Sequence, residues 1–190
     1  MLIQGARRVG KSTVAEEFAT NEYDTHILVD FAACSSEIRD LFNDVSDLNR
    51  IFMRLQLEYG IELKERKSAI IFDEVQLAPK ARQAIKYLVK DGKYDYIETG
   101  SLISIRKNVK DILIPSEEVK VHMFPMDYEE FKWALGDTAT IKLLQSCFHN
   151  RTSLGDATNR KLMRDFRLYM LIGGMPQAVA PILTPTILKR

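Results

Sequence analysis

Short apolar runs alternate along this chain with longer segments whose apolar residues recur every three or four positions. That alternation predicts βαβ units around a parallel sheet, an α/β fold. Met1-Leu2-Ile3-Gln4 reads as a first strand, His26 to Phe31 as a second and Ser68 to Asp73 as a third. Tyr94 to Thr99 and Val119 to Phe124 supply a fourth and a fifth. Between them, Lys11 to Thr20, Ser36 to Asn43, Asp47 to Tyr59 and Pro79 to Lys90 read as helices. In the third of these, Leu48, Ile51, Phe52, Leu55 and Tyr59 share one face, and Gly60 is placed to end it. Pro79 opens the fourth and Gly92 follows it.

After the fifth strand the pattern becomes helical throughout. Asp127 and Glu130 have the spacing of a capping box at the head of a helix from Tyr128 to Leu135. Further helices are predicted over Ala139 to Phe148 and Thr158 to Ile172, with Gly173-Gly174-Met175-Pro176 breaking the last. The tail Pro181-Ile182-Leu183-Thr184-Pro185 shows no clear final element. The organisation expected is an α/β core over residues 1–125 and a helical lid or connector over 126–190. Both ends read as cut, since four residues before Gly5 are few for a central strand and the tail has no clear last element, so a fragment of a longer polypeptide is expected.

The loop between the first strand and the first helix carries the chemistry. Gly5-Ala6-Arg7-Arg8-Val9-Gly10-Lys11-Ser12-Thr13 fits G-x-x-x-x-G-K-[ST], the phosphate-binding P-loop. The loop must curl with its N–H groups inward, where a β-carbon would crowd a phosphate. Lys11 supplies a charge for the β- and γ-phosphates, and Ser12 offers a hydroxyl to Mg²⁺. The helix beginning there turns its positive end to the anion. Residues 5 and 7 to 13 are therefore the candidate nucleotide-binding set, and Arg7 and Arg8 either touch phosphate or base, pair with an acid, or are solvated.

A second constellation ends the third strand. Ala69-Ile70-Ile71-Phe72-Asp73-Glu74 has the order of a Walker B strand: Asp73 reaches Mg²⁺ beside Ser12, and Glu74 takes a proton from an attacking water. The alternative is that both acids only cap the following helix or sit in a polar turn. At the end of the fourth strand, Thr99 or Ser101 could contact the γ-phosphate or its water, unless Ser101 caps the Leu102 to Ile105 segment. Asp30 either faces the site or caps its own turn. Arg106 and Lys107 are candidates for an arginine finger acting on a neighbouring subunit.

The chain has 190 residues, 46% hydrophobic and 28% charged, which suits one soluble globular domain. Its formal net charge of +1 argues for no polyanionic partner. The stretch from Arg151 onward is locally basic, with seven Lys or Arg against Asp156 and Asp165, a pattern that a solvated helix face also gives. Cys34 and Cys147 are far apart and read as small buried residues. With His26, His122 and His149 scattered, no metal-site spacing appears. No apolar run is long enough to span a bilayer and no signal peptide precedes the loop, so a cytoplasmic location is expected.

Five ordered motifs resemble those of a large group of bacterial and archaeal predicted ATPases of the AAA+ superfamily. They are Gln4 to Thr13, Phe72-Asp73-Glu74-Val75-Gln76, Thr99-Gly100-Ser101-Leu102, Phe124 to Phe131 and Leu171 to Pro176. The resemblance implies an AAA-type three-layer core with a five-stranded sheet, and ATP with Mg²⁺ at Gly10, Lys11, Ser12 and Asp73. It also implies Glu74 as catalytic acid/base and Thr99 or Ser101 in the sensor position. The family commonly carries an arginine between Ile114 and Val121, where this chain reads Pro115-Ser116-Glu117-Glu118-Val119-Lys120. The expected activity is Mg²⁺-dependent hydrolysis of ATP to ADP, with a protein partner or homo-oligomer implied and nucleic acid unsupported. Two alternatives are a nucleotide-gated switch with little turnover and a small-molecule kinase, the latter using Arg160, Arg164 and Arg167 as a lid.

Overall fold

The computed structural model describes residues 1–101 and 118–183. Two compact units make up the chain, Met1–Met123 and Phe124–Arg190.

The first unit runs β1 (Leu2–Gly5), α1 (Lys11–Glu22), β2 (Thr25–Asp30), α2 (Ser36–Asp40) and α3 (Leu48–Tyr59), then β3 (Ser68–Asp73), α4 (Pro79–Asp91), β4 (Asp95–Ser101) and β5 (Lys120–Met123). Short 3₁₀ turns, Leu41–Asn43 and Val75–Leu77, follow α2 and β3. The described strands form one parallel sheet in the order β2-β3-β4-β1-β5. This is the α/β fold with a parallel five-stranded sheet that the alternating pattern predicts.

Strand periodicity divides the side chains between two layers. Ile70, Phe72 and Tyr96 pack with α2, α3 and α4, where Phe31, Phe42 and Phe72 meet at centroid distances of 5.3 to 5.9 Å. Ala69, Ile71 and Ile97 pack on the other face, with Ala15 and Ala19 of α1. All six residues of β3 are buried, as a central strand covered on both faces requires. The small α1 residues let that helix lie close to the sheet, which brings its N-terminus to the strand ends.

Local signals behave as their chemistry demands. Asp47 caps α3 by accepting from the Arg50 N–H at 3.1 Å, and Gly60 ends the helix at φ 64°. Gly92 ends α4 in the same left-handed conformation, at φ 72°.

In the second unit the described helices are α5 (Tyr128–Ala134), α6 (Thr140–His149), α7 (Asp156–Ile172) and α8 (Pro176–Leu183). Asp127 and Glu130 form the reciprocal capping box at the head of α5. Lys132 is buried and holds both Asp137 and Asp165 at 2.9 Å, tying α5 to α7. Gly174 is required by a neighbour: a β-carbon there would collide with the Met126 backbone carbonyl.

Two expectations are corrected. The Pro-punctuated tail has an element after all, since Pro176 starts α8 and the helix continues through Pro181 to Leu183. A proline at the start of a helix costs no hydrogen bond, and in a helix this short the residue four before Pro181 lies in the first turn. Cys34 and Cys147 are free thiols only half-buried, Cys34 packing against the margin of the α2–α4 core. No helix among the described residues is long and apolar enough to cross a membrane.

Candidate functional site

Gly5 is the last residue of β1, paired in register with Ser101 of β4 and Met123 of β5. Its lack of a β-carbon answers to the sheet: an added Cβ would run into the Met123 carbonyl oxygen. The reason for glycine at 5 is thus strand packing, where crowding of a phosphate was expected. Gly10 meets the expected need differently, standing at φ 95° as the N-cap of α1 with no side chain over the helix end. Arg8 is also left-handed, at φ 67°. Arg7, Arg8 and Thr13 are exposed, whereas Val9 is buried and anchors the loop.

Lys11 is 5% exposed and donates to the Ala6 carbonyl at 2.8 Å, so its ammonium lies across its own loop. Burial lowers the pKa of this ammonium, opposed by the carboxylates of Glu74 and Asp73.

Asp73 collects the site. Its parity with Ala69 and Ile71 puts its side chain on the α1 face of the sheet. There Ser12 donates its hydroxyl to Asp73 Oδ1 at 2.6 Å. Thr99, on the same face of β4 as Ile97, donates its hydroxyl to that same oxygen. The Thr99 Oγ1 in turn accepts the Glu74 N–H at 3.2 Å. β4 lies between β3 and β1 in the sheet, which sets Thr99 beside the acidic end of β3.

Glu74 adopts the left-handed conformation, at φ 52°. Its carboxylate Oε2 accepts from the side-chain amide of Gln76, which is buried in the 3₁₀ turn. α4 has no side-chain N-cap, so neither Asp73 nor Glu74 serves as one.

Ser101 closes β4 opposite Gly5. Asp30 faces Asp73 in the β2–β3 register, but its carboxylate accepts from the Ala32 N–H at 2.7 Å and its carbonyl from Ala33 and Cys34, so it caps its turn. Arg160, Arg164 and Arg167 are exposed on α7. Arg106, Lys107, the Leu102 to Ile105 segment and Pro115 to Glu117 lie outside the described residues.

Sequence reasoning missed three groups. Arg82 of α4 is 1% exposed and reaches Glu118 at 2.8 Å and Glu98 of β4 at 3.8 Å. The signal was an arginine on the apolar stripe of Ala78, Ala81, Ile85 and Leu88, together with a glutamate inside a buried strand. Burial pushes the Glu98 carboxyl up to about 7, opposed by Arg82 and reinforced by Glu118. Gln76 is the second, its place in the Phe72 to Gln76 motif implying no role by itself. Gln4 of β1 lies 2.8 Å from the His122 ring of β5, a pairing only strand order creates.

No curated protein matches this sequence. Among solved structures, the chain is similar to the Aeropyrum pernix ORC1 protein in complex with DNA at 15% identity and a TM-score of 0.45. That alignment covers 73% of this chain and 42% of that one. It is also similar to C. elegans PCH-2 at 11% identity and a TM-score of 0.38, covering 76% and 39%. The chain therefore spans well under half the length of either protein. A family model described as an AAA domain matches residues 1–132, more than two thirds of the chain. On that match, this chain belongs to the AAA domain family, nucleotide-binding proteins of the AAA+ superfamily.

Proposed function

We propose that this protein binds ATP together with Mg²⁺ and hydrolyses it to ADP and phosphate. The observation that carries the reading is the convergence of Ser12, from the loop, and Thr99, from β4, on one oxygen of Asp73. Hydroxyl and carboxylate oxygens in contact suit Mg²⁺, which takes few protein ligands and completes its shell with phosphate and water. Ser12 and Asp73 would hold the ion. When bound, it neutralises charge on the phosphates and so supports in-line transfer of the γ-phosphoryl group.

The chain's own residues do the rest. Gly10 and residues 7 to 9 leave backbone N–H groups for the phosphates, and the α1 N-terminus adds its partial positive charge. Lys11 would exchange its bond to the Ala6 carbonyl for one to a phosphate oxygen, satisfying a buried cation with an anion. Glu74 accepts the proton of the water that attacks the γ-phosphorus as the bond to the ADP oxygen breaks. Thr99 keeps Asp73 and the Glu74 backbone at a fixed spacing and fills the sensor position, with Ser101 further along the same strand. Arg7 and Arg8 remain available to phosphate or base.

The test is a pair of variants. Lys11→Ala should lose nucleotide affinity, whereas Glu74→Gln should bind ATP normally and release phosphate only at a small residual rate. Unimpaired phosphate release by purified Glu74→Gln would defeat the assignment.

A further inference from the structure

The 3₁₀ turn behind β3 holds more than a chain reversal. The Glu74 backbone is already fixed, with its N–H on Thr99 Oγ1 at 3.2 Å and its carbonyl accepting from the Leu77 N–H at 2.9 Å. Its side chain would still have three rotatable bonds and freedom to leave the site. Gln76 removes that freedom. Val75, wholly buried, roots the turn in the α4-side core, and Gln76 itself is 6% exposed, so its amide cannot swing away. That amide donates to Oε2 of Glu74. The amide thereby ties one of the two carboxylate oxygens of Glu74. Glu74, so held, is one of two carboxylates, with Asp73, whose charge opposes the effect of burial on Lys11.

We propose that Gln76 is a positioning residue for Glu74: its buried side-chain amide fixes the orientation in which the glutamate accepts a proton. The inference rests on the ATP-hydrolase reading and deepens it. The role given to Gln76 runs through its amide contact to the Glu74 carboxylate. A glutamine is suited to this because it donates through one fixed nitrogen and carries no charge to compete for Lys11. Misplacement of a reacting group by about 1 Å costs on the order of 100-fold in rate.

The experiment compares Gln76→Met, which keeps length without a donor, and Gln76→Glu, which keeps shape and replaces the donor with an acceptor. Phosphate release from MgATP and affinity for a fluorescent ATP analogue are measured on the full chain. The expected result is a roughly 10- to 100-fold lower kcat in both variants with nucleotide affinity within about twofold of wild type. If Gln76→Met does not fold, as its thermal unfolding will report, the isosteric Gln76→Glu decides. The same substitution is then placed in Glu74→Gln, where single-turnover hydrolysis should change less than about twofold. An equal further drop in that background would mean Gln76 acts independently and would overturn the inference. So would wild-type or faster turnover in both single variants. Wild-type turnover in Glu74→Gln alone would overturn the inference as well, whereas no phosphate release from the wild-type chain defeats the hydrolase reading instead, so the two failures are distinct.

Discussion

The hydroxyl of Ser12 lies 2.6 Å from Oδ1 of Asp73 although 61 residues separate them. One residue opens the first helix and the other ends the third strand. The contact exists because Asp73 shares the α1 face of the sheet with Ala69 and Ile71, and because the small residues of α1 let the helix approach. The same pair is suited to a divalent cation, and this yields a first prediction. Asp73→Asn should weaken binding of ATP in the presence of Mg²⁺ by about 10- to 100-fold, the worth of one charged hydrogen-bond partner or ligand. Binding in excess EDTA should fall much less. Titration of a fluorescent ATP analogue with and without Mg²⁺ measures the difference; equal losses under both conditions would remove Asp73 from the metal.

Lys11 is a buried cation bonded to its own loop carbonyl, and burial lowers its pKa. Lys11→Met keeps much of the bulk and removes the charge. It should fold with unchanged or higher stability, since no cation then needs solvating, while ATP affinity drops by about 10- to 100-fold. Thermal unfolding without nucleotide and an ATP titration separate the two effects.

Gly5→Ala tests whether the first glycine of the loop answers to strand packing. The new methyl group would press on the Met123 carbonyl, a backbone atom of β5 that cannot rotate aside. The variant should lose roughly 1–3 kcal/mol of stability, read by urea unfolding, and nucleotide affinity should fall only as far as the loop follows the strand. A stable variant with abolished ATP binding would restore the phosphate-crowding explanation.

Glu98 makes stability depend on pH. Its carboxyl, at an ordinary 4.5 when unfolded, is pushed up to about 7 by burial. The charges facing it are Arg82 from α4, Glu118 ahead of β5 and the chain's amino group. Between those values the folded state holds a proton that the unfolded chain has released, so stability is full below about 4.5 and is lost as pH rises through about 7. The slope is at most about 1.4 kcal/mol per pH unit. Urea unfolding of wild type and Glu98→Gln between pH 5 and 8 should show the wild type losing stability relative to the variant. Parallel curves would place an ionised Glu98 with Arg82 across the whole range.

Much of the site was legible in the chain because its parts are local. Gly10, Lys11 and Ser12 follow one another at a strand-to-helix junction, and Asp73 and Glu74 end an apolar run. Thr99 and Ser101 were indistinguishable candidates at that level. Parity gives both to the α1 face with Ile97; position along β4 separates them, since Thr99 bonds Asp73 while Ser101 closes the strand opposite Gly5. Gln76 and Arg82 were harder to read. Gln76 meets Glu74 through a turn whose conformation no periodicity announces. Arg82 stands out only as a charge on an apolar stripe, with no partner named until β4 lays Glu98 against it.

The amino-acid sequence by itself determined which segments become strands and helices, which faces they bury, and where the loop and the acidic strand end occur. Those properties follow from periodicity, capping and the conformational freedom of glycine, all decided within a few residues. Tertiary structure alone decided that β4 inserts between β3 and β1, so that a threonine from a third element joins Ser12 and Asp73. Strand order depends on how crossovers pack helices on the two faces of a sheet, a sum over the whole core that no local stretch encodes.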